Sequence, residues 1–335
     1  MRPELFRIPF IDKGVPAYGT MLMIGFLLAV LLARRRHKCL GLAKADVFDL
    51  GFAAVICGII GARLMHVILF WPSYFVSHEY WPEWMGPLGW AGAILATWNG
   101  GLVYYGGMGG GVFGIFLYAR IKKVPFVDVL DFVAPGGALG LAVTRVGCFL
   151  NGCCFGKPSS LPWAVKFPGR SYLYAIRDAG ENVIGYCEPY SVHPAQLYET
   201  LAALTLFALL WWLYPRRRFA GQISWIFGMC YTAWRFCNEF FRADSGPWRP
   251  EIFGKVRDFG PLTVFQYMSI PIFAIFMVTY LVSMRRARPP YVPPSERDTG
   301  GGKNDASEAG GTAEDACERN AEGSREGSEE RREEG

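Results

Sequence analysis

Seven stretches of this 335-residue chain are apolar over the length a lipid bilayer demands, which removes most soluble folds from consideration. A hydrocarbon core takes about 20 mostly apolar residues per helix. The runs lie at roughly 17–33, 49–70, 100–120, 128–150, 196–214, 220–238 and 262–284. They predict an all-α integral membrane protein, a bundle of about seven transmembrane helices. A further apolar segment at 86–97 is short and Gly-rich. It fits a re-entrant or interfacial piece, or an early start to the third helix. Composition agrees, with 52% hydrophobic and 16% aromatic residues.

Positive charge orients the spans. Arg34, Arg35, Arg36 and Lys38 follow the first run; Arg120, Lys122 and Lys123 the third; Arg216, Arg217 and Arg218 the fifth; Arg285, Arg286 and Arg288 the seventh. Every odd-numbered helix therefore ends on the basic side, which the positive-inside rule makes cytoplasmic. The N-terminus is expected outside and the C-terminus in the cytoplasm, with the 71–99, 151–195 and 239–261 connections outside. Trp71, Trp81, Trp84, Trp90 and Trp98 fit an outer aromatic belt. The segment Met1 to Pro16 is mixed in character and the first run ends in basic residues, which suits a retained anchor rather than a cleaved signal.

From Ser295 onward there are 13 acidic and 6 basic residues among Gly, Ser, Ala and Asn, so the body carries the positive charge behind the net +5. Such a segment buries too little apolar surface to offset its ordering entropy. The division expected is a transmembrane catalytic domain over 1–286 and a disordered acidic cytoplasmic tail over 287–335. No nucleic-acid motif accompanies the basic body, so no nucleic-acid partner is expected.

Ionisable residues at membrane depth are costly and are functional candidates by default. Arg63 lies inside GIIGARLMHVILF with His66 three residues on, on one helix face. A structural ion pair and a ligand group both fit. Arg145 closes the fourth span, where snorkelling to the interface competes with function; Asn151 follows in a Gly-containing turn. In YTAWRFCNEFFR, Arg235 and Glu239 are four apart and Glu239 and Arg242 three apart, a face with two cations to one anion. A self-neutralising ladder and an anion site both fit. Guanidinium forks match phosphate oxygens, and a phospholipid headgroup is the anion available at that depth. HPAQLYE opens the fifth helix with His193 before Pro194, as a cap, an interface residue or a catalytic group. Gln196 and Glu199 are placed to pair with the arginines. The glycines of NGGLVYYGGMGGG suit close helix packing, and one of Tyr104 and Tyr105 is expected to face a cavity.

The nine cysteines show no disulfide framework. Cys39, Cys57, Cys230 and Cys237 read as small buried residues of apolar runs. Cys148, Cys153, Cys154 and Cys187 share one region. A thiol–disulfide role on an oxidising face is conceivable there, but the vicinal pair is a poor zinc or CxxC match. The turn reading, small residues supported by Gly, takes most of them.

Read together, these segments resemble bacterial prolipoprotein diacylglyceryl transferase over most of residues 10–285. AYGTMLMIGF is similar to the family's first-helix motif at Tyr18 and Gly19, and GARLMHVILF to its second-helix arginine motif at Arg63. WNGGLVYYGGMGG resembles its Gly-rich motif. LAVTRVGCFLNGCCFGK resembles its signature, placing Arg145, Gly147, Asn151 and Gly152. FPGR, HPAQLYE, YTAWRFCNEFFR and LTVFQYMSIP follow in the family's order.

The resemblance implies transfer of the diacylglyceryl group of phosphatidylglycerol to the lipobox cysteine of a prolipoprotein, the first step of lipoprotein maturation. A thioether forms and glycerol phosphate leaves. It implies Arg145 and Arg235 as the essential pair, Tyr105 or His193 as the base, and Tyr18, Arg63, Asn151, Gly152, Tyr231, Glu239 and Arg242 around the substrate. Its partners are phosphatidylglycerol, the prolipoprotein signal peptide and membrane lipid. It implies no cofactor and no metal. The enzyme would sit in the bacterial cytoplasmic (inner) membrane, its site opening toward the outer leaflet. Many members carry His where this chain has Tyr105, a weaker base unless a cation lowers its pKa. The competing readings are a diverged paralogue with another acceptor and a non-enzymatic lipid-binding or transport protein.

Overall fold

The computed structural model describes residues 4–8, 13–71, 89–95, 101, 103–167, 175–177, 183–186, 190–242, 262–286 and 288–292. Among these residues seven long helices stand close to the seven apolar runs: α1 Ala17–Arg35, α2 Lys44–Leu69, α4 Tyr104–Ile121, α5 Phe126–Asn151, α6 Ala195–Leu213, α7 Gln222–Asn238 and α8 Val264–Arg286. The apolar piece near 86–97 contains a separate seven-residue helix, α3 Gly89–Leu95. Five of the long helices (α1, α2, α5, α6 and α8) are long and apolar enough to cross a membrane. The other two fall short for visible reasons. Helix α4 is diluted by glycine, and α7 has 17 residues and carries Gln222, Thr232, Arg235 and Asn238.

Two small hairpins accompany the helices, a feature the all-helical expectation did not include. β1 Glu4–Ile8 pairs antiparallel with β2 Lys13–Pro16, and β3 Ala175–Arg177 with β4 Val183–Tyr186. Both lie outside the apolar runs. Cys187 and the tail from residue 293 lie outside the described residues.

The described residues form two compact units, those up to 35 and from 131 to 290 in one, those from 36 to 130 with 291 and 292 in the other. In the second unit α2 and α4 meet backbone to backbone. A Cβ at Gly61, Gly106, Gly110 or Gly114 would run into the main chain of the facing helix. With no hydrophobic drive between helices in lipid, such small-residue seams supply the packing. This accounts for most of the glycines in the Gly-rich motif. Tyr118 donates from Oη to the Asp46 carbonyl at 2.8 Å, and the amide of Tyr291 donates to Asp128 Oδ1 at 2.9 Å.

In the first unit α1 lies against α5, where a Cβ at Gly25 would sit 2.9 Å from the Gly140 carbonyl oxygen. Asp131, fully buried on α5, caps α7 from outside that helix. Its carboxylate accepts from the Gly221 and Ser224 amides, both at 2.8 Å, and from the Ser224 hydroxyl at 2.7 Å, with Arg217 Nη1 at 3.8 Å. These bonds satisfy free amides at the start of α7 and favour negative charge there. They fix α7 against α5, so the far ends of the two helices bring their arginines together.

Candidate active site

That far end of the first unit holds a buried cluster of charges. Arg145, near the C-terminus of α5, places Nη2 2.9 Å from Glu199 Oε1 on the first turns of α6. Arg242, just beyond α7, places Nη1 3.7 Å from Glu199 Oε2, and Asn238 Nδ2 donates to the same oxygen at 3.4 Å. One turn below, Arg235 Nη1 lies 2.8 Å from Glu239 Oε2, with its guanidinium over the Phe265 ring at 5.0 Å. Glu199 and Glu239 are each 1% exposed and Asn238 fully buried, while the Arg145 and Arg235 side chains keep 17% and 16%. Among the described residues Arg145 and Arg242 share Glu199 while Arg235 pairs with Glu239, three guanidiniums to two carboxylates. Buried ions are retained only when paired and hydrogen-bonded, and the surplus cation fits an anionic ligand.

The turn after α5 is built on backbone geometry. Gly152 takes φ +69°, its amide bonding to the Phe149 carbonyl at 3.1 Å and that of Cys153 to the Cys148 carbonyl at 3.1 Å. This is a Schellman ending, which calls for glycine at the left-handed position. Gln196 on α6 ties the turn down, donating from Nε2 to the Cys153 carbonyl at 2.7 Å. The three thiols of Cys148, Cys153 and Cys154 converge, their sulfurs all within 4.8 Å of one another. Arg145 Nη1 donates to Cys148 Sγ at 3.9 Å and Asn151 Nδ2 to Cys153 Sγ at 3.5 Å. The Cys154 thiol is held below its ordinary pKa by hydrogen bonds from Cys148 and Cys153, helped by the charges of Arg242 and Arg145.

His193 joins the same neighbourhood through the backbone. Gly156 bridges to Arg242, its amide donates to the His193 carbonyl at 2.8 Å, and the His193 amide donates to the Lys157 carbonyl at 3.0 Å. A Cβ at Gly156 would strike the Phe241 carbonyl at 2.5 Å and His193 Cβ at 2.5 Å, so the layers can close only on glycine. The imidazole Nδ1 sits 3.2 Å from the Tyr198 hydroxyl, which accepts from Trp163 Nε1 at 2.8 Å. The cap reading fails, because Pro194 occupies the N-cap of α6 and no side chain caps that helix.

A cavity of about 370 Å³ lies between α5, α6 and α7, lined by Leu141, Ala202, Leu206, Leu209, Tyr231 and Trp234 and ending on Glu199. Its walls are almost wholly apolar. Tyr18, 41% exposed on α1, is within electrostatic reach of Arg145.

In the second unit Arg63 is 8% exposed and donates from Nε to the Ile94 carbonyl at 2.8 Å and from Nη1 to the Gly101 carbonyl at 3.0 Å. It thus braces the end of α3. His66, 7% exposed, packs its ring on Phe70 at 4.6 Å. Tyr105 lies in the first turn of α4, and its side chain is outside the described residues.

The structure thus brings together Arg145, Arg235, Arg242, Glu239, Asn151 and Tyr231 in one unit, with Gly152 shaping the turn. Two partners escaped the list of candidates. Glu199 had shown only as a possible arginine partner, and Asn238 not at all. The readable signal for Asn238 was an amide at the end of an otherwise apolar span.

Known proteins are similar to this chain over most of its length. The profile of the family described as prolipoprotein diacylglyceryl transferase matches residues 3–282. The chain is 35% identical over 274 residues to the phosphatidylglycerol–prolipoprotein diacylglyceryl transferase of Bordetella avium, covering 81% of this chain and 90% of that one. It is 34% identical over 263 residues to the protein of the same name from Nitratidesulfovibrio vulgaris, covering 78% and 86%. The like-named protein of Geobacter sulfurreducens is 33% identical over 291 residues, covering 86% and 97%.

Proposed function

The chain belongs to the prolipoprotein diacylglyceryl transferase family, and we infer that it transfers the diacylglyceryl group of phosphatidylglycerol to a prolipoprotein at the Arg145–Arg235–Arg242 cluster. The observation that carries the placement is the excess of guanidinium over carboxylate among the described residues, beside an apolar cavity that Glu199 lines. An acyl chain fits the cavity wall of Leu141, Leu206 and Leu209, and the phosphodiester then falls among the guanidiniums.

The lipobox thiol attacks the glyceryl carbon that carries the phosphate. The new C–S bond forms as the C–O bond breaks, and the thiol proton ends on the departing glycerol phosphate. Charge gathers on the phosphate oxygens as the bond opens. Arg145 and Arg235, fixed by Glu199 and Glu239, stabilise that charge without reorganising. Arg242 and Asn151 order the clamp, Gly152 sets the turn, and Tyr18 and Tyr231 line the lipid's approach. We assign the proton to His193, oriented by Tyr198, with Tyr105 as the rival acceptor. Arg63, which braces the end of α3 within the second unit, is assigned to substrate binding on the family resemblance alone.

The site lies at the C-terminal ends of α5 and α7 and the N-terminal end of α6, while the arginine runs follow the C-terminal ends of α1, α6 and α8. By the positive-inside rule the site faces the outer leaflet of the bacterial inner membrane, with the N-terminus outside and the C-terminus in the cytoplasm. The chemistry belongs to residues 1–286. Residues 287–335 form an acidic cytoplasmic tail whose first part is tied to the body, where the Ala220 amide donates to the Arg288 carbonyl at 3.0 Å.

The test is reconstitution with phosphatidylglycerol and a lipobox peptide, read as a diacylglyceryl mass increase on the peptide cysteine. A wild-type protein that gives no product beside an active relative defeats the reading. Product formed on a different acceptor identifies the paralogue instead.

A further inference from the structure

We propose that Cys148, Cys153 and Cys154 form a three-thiolate site for monovalent copper, built from side chains the transfer reaction does not use but sharing the Arg145 and Arg242 guanidiniums with it. The transfer reaction uses the substrate's thiol and leaves these three without a task. Yet the chain brings them together at a cost. Cys148 faces the turn from the last part of α5, the Schellman ending reverses the backbone at Gly152, and Cys154 takes φ +60°, a left-handed conformation rare for a side-chain-bearing residue. The result is three sulfurs within 4.8 Å of one another. Two N–H donors, Arg145 Nη1 and Asn151 Nδ2, point at the Cys148 and Cys153 sulfurs.

The donor set selects the ion. Thiolates prefer soft cations, monovalent copper and zinc among them. Zinc in protein sites is tetrahedral and takes four ligands, and among the described residues no fourth His, Cys, Asp or Glu joins this group. Monovalent copper is content with three sulfurs in a plane. Binding exchanges protons and transfers no electrons: Cu⁺ and three thiols give a complex of charge 2− and three protons. The charge left on the complex is met by the Arg145 and Arg242 guanidiniums, both of which already act on Cys154. A zinc ion would leave less negative charge for the same two cations.

The experiment uses the reduced full-length protein in lipid nanodiscs, titrated with monovalent copper against a chromogenic copper chelator. We expect one ion per chain and an X-ray absorption spectrum with three sulfur neighbours. Cys148→Ser, Cys153→Ser and Cys154→Ser should each weaken binding by about tenfold or more. Cys230→Ser and Cys237→Ser, at exposed thiols, should leave it unchanged. The absorption spectrum of the wild type reads the ligand number without any variant, so a misfolded variant does not shelter the proposal. A spectrum with two or fewer sulfurs, stoichiometry that survives in the triple variant, or displacement of copper by equimolar zinc would overturn it.

Discussion

Arg145 and Glu199 lie 54 positions apart in sequence and meet at 2.9 Å, and their contact ties the C-terminal end of α5 to the first turns of α6. Glu199 is shared, since its other oxygen serves Asn238 and Arg242. One carboxylate therefore sets the position of two guanidiniums that belong to different segments. Replacing Glu199 by Gln keeps the shape and deletes the charge. Removing one partner of a buried ion pair costs about 3–5 kcal/mol. The Glu199→Gln protein should unfold at a clearly lower temperature in detergent, and product formation per folded molecule should fall. Unchanged melting would mean that the two arginines do not depend on it.

The clamp itself is tested by Arg145→Ala and Arg145→Lys. Loss of one fixed donor at developing charge costs about 10²–10³ in turnover. Lysine restores charge but not the planar fork, so it should recover only a small part. Arg235→Ala should behave alike, since Glu239 and the Phe265 ring hold it as firmly. The measurement is the initial rate with lipobox peptide in matched vesicles. Near-normal turnover in either alanine variant removes that arginine from the mechanism.

What the sequence made legible depended on whether the signal was local. The limits of α1, α5 and α7 follow the apolar runs within a few residues, because helix period and bilayer length act along the chain. The pairing of Arg235 with Glu239 was readable too, since an i,i+4 spacing puts both on one face. Arg242 escaped the same rule. Helix α7 ends at Asn238, and Arg242 turns out of line to bridge Gly156 and approach Glu199. The meeting of three thiols is local, made by the reversal at Gly152 and the left-handed Cys154, which the sequence shows only as a Gly-supported turn. The Glu199 junction and the Asn238 amide require knowing how α5, α6 and α7 pack. No spacing within one segment encodes that. The β1–β2 hairpin was hidden for another reason, its strands being short and of mixed polarity.

His193 and Tyr105 compete for the thiol proton. A positioned general base contributes about 10²–10⁴-fold. On the present assignment His193→Ala loses a factor in that range, and Tyr105→Phe loses less. Tyr198→Phe removes the hydroxyl next to Nδ1 and should reduce the rate while leaving the apparent affinity for phosphatidylglycerol unchanged. The opposite ranking, with Tyr105→Phe the more damaging, transfers the role to Tyr105. Equal rates in all three would remove both residues as bases.

The glycine seam separates packing from chemistry. Gly61→Leu and Gly110→Leu each place a side chain against facing backbone that has no room to move. Both should reduce the yield of folded protein sharply. Gly109 lies on the same helix with open space at its Cβ position. Gly109→Ala should be neutral or stabilising by about 0.5–1 kcal/mol, as expected for glycine in a helix interior. Comparable damage at Gly109 would show that the run's glycines matter for something other than the α2–α4 contact.

The apolar cavity supplies the last test, because it separates lipid binding from the chemical step. Its wall at Ala202 faces space of about 370 Å³ that ends on Glu199. Ala202→Phe fills part of that space and leaves the residues Arg145, Arg235 and their carboxylate partners unaltered. If an acyl chain lies there, the variant should raise the KM for phosphatidylglycerol while kcat at saturating lipid stays close to wild type. A substitution that removes uniform binding moves KM alone. Shortening the acyl chains of the lipid should then partly rescue the variant, since a smaller tail needs less of the cavity. If KM is unchanged and short-chain lipid gives no rescue, the acyl chain lies elsewhere. The arginine cluster would then have to bind the headgroup without help from this wall.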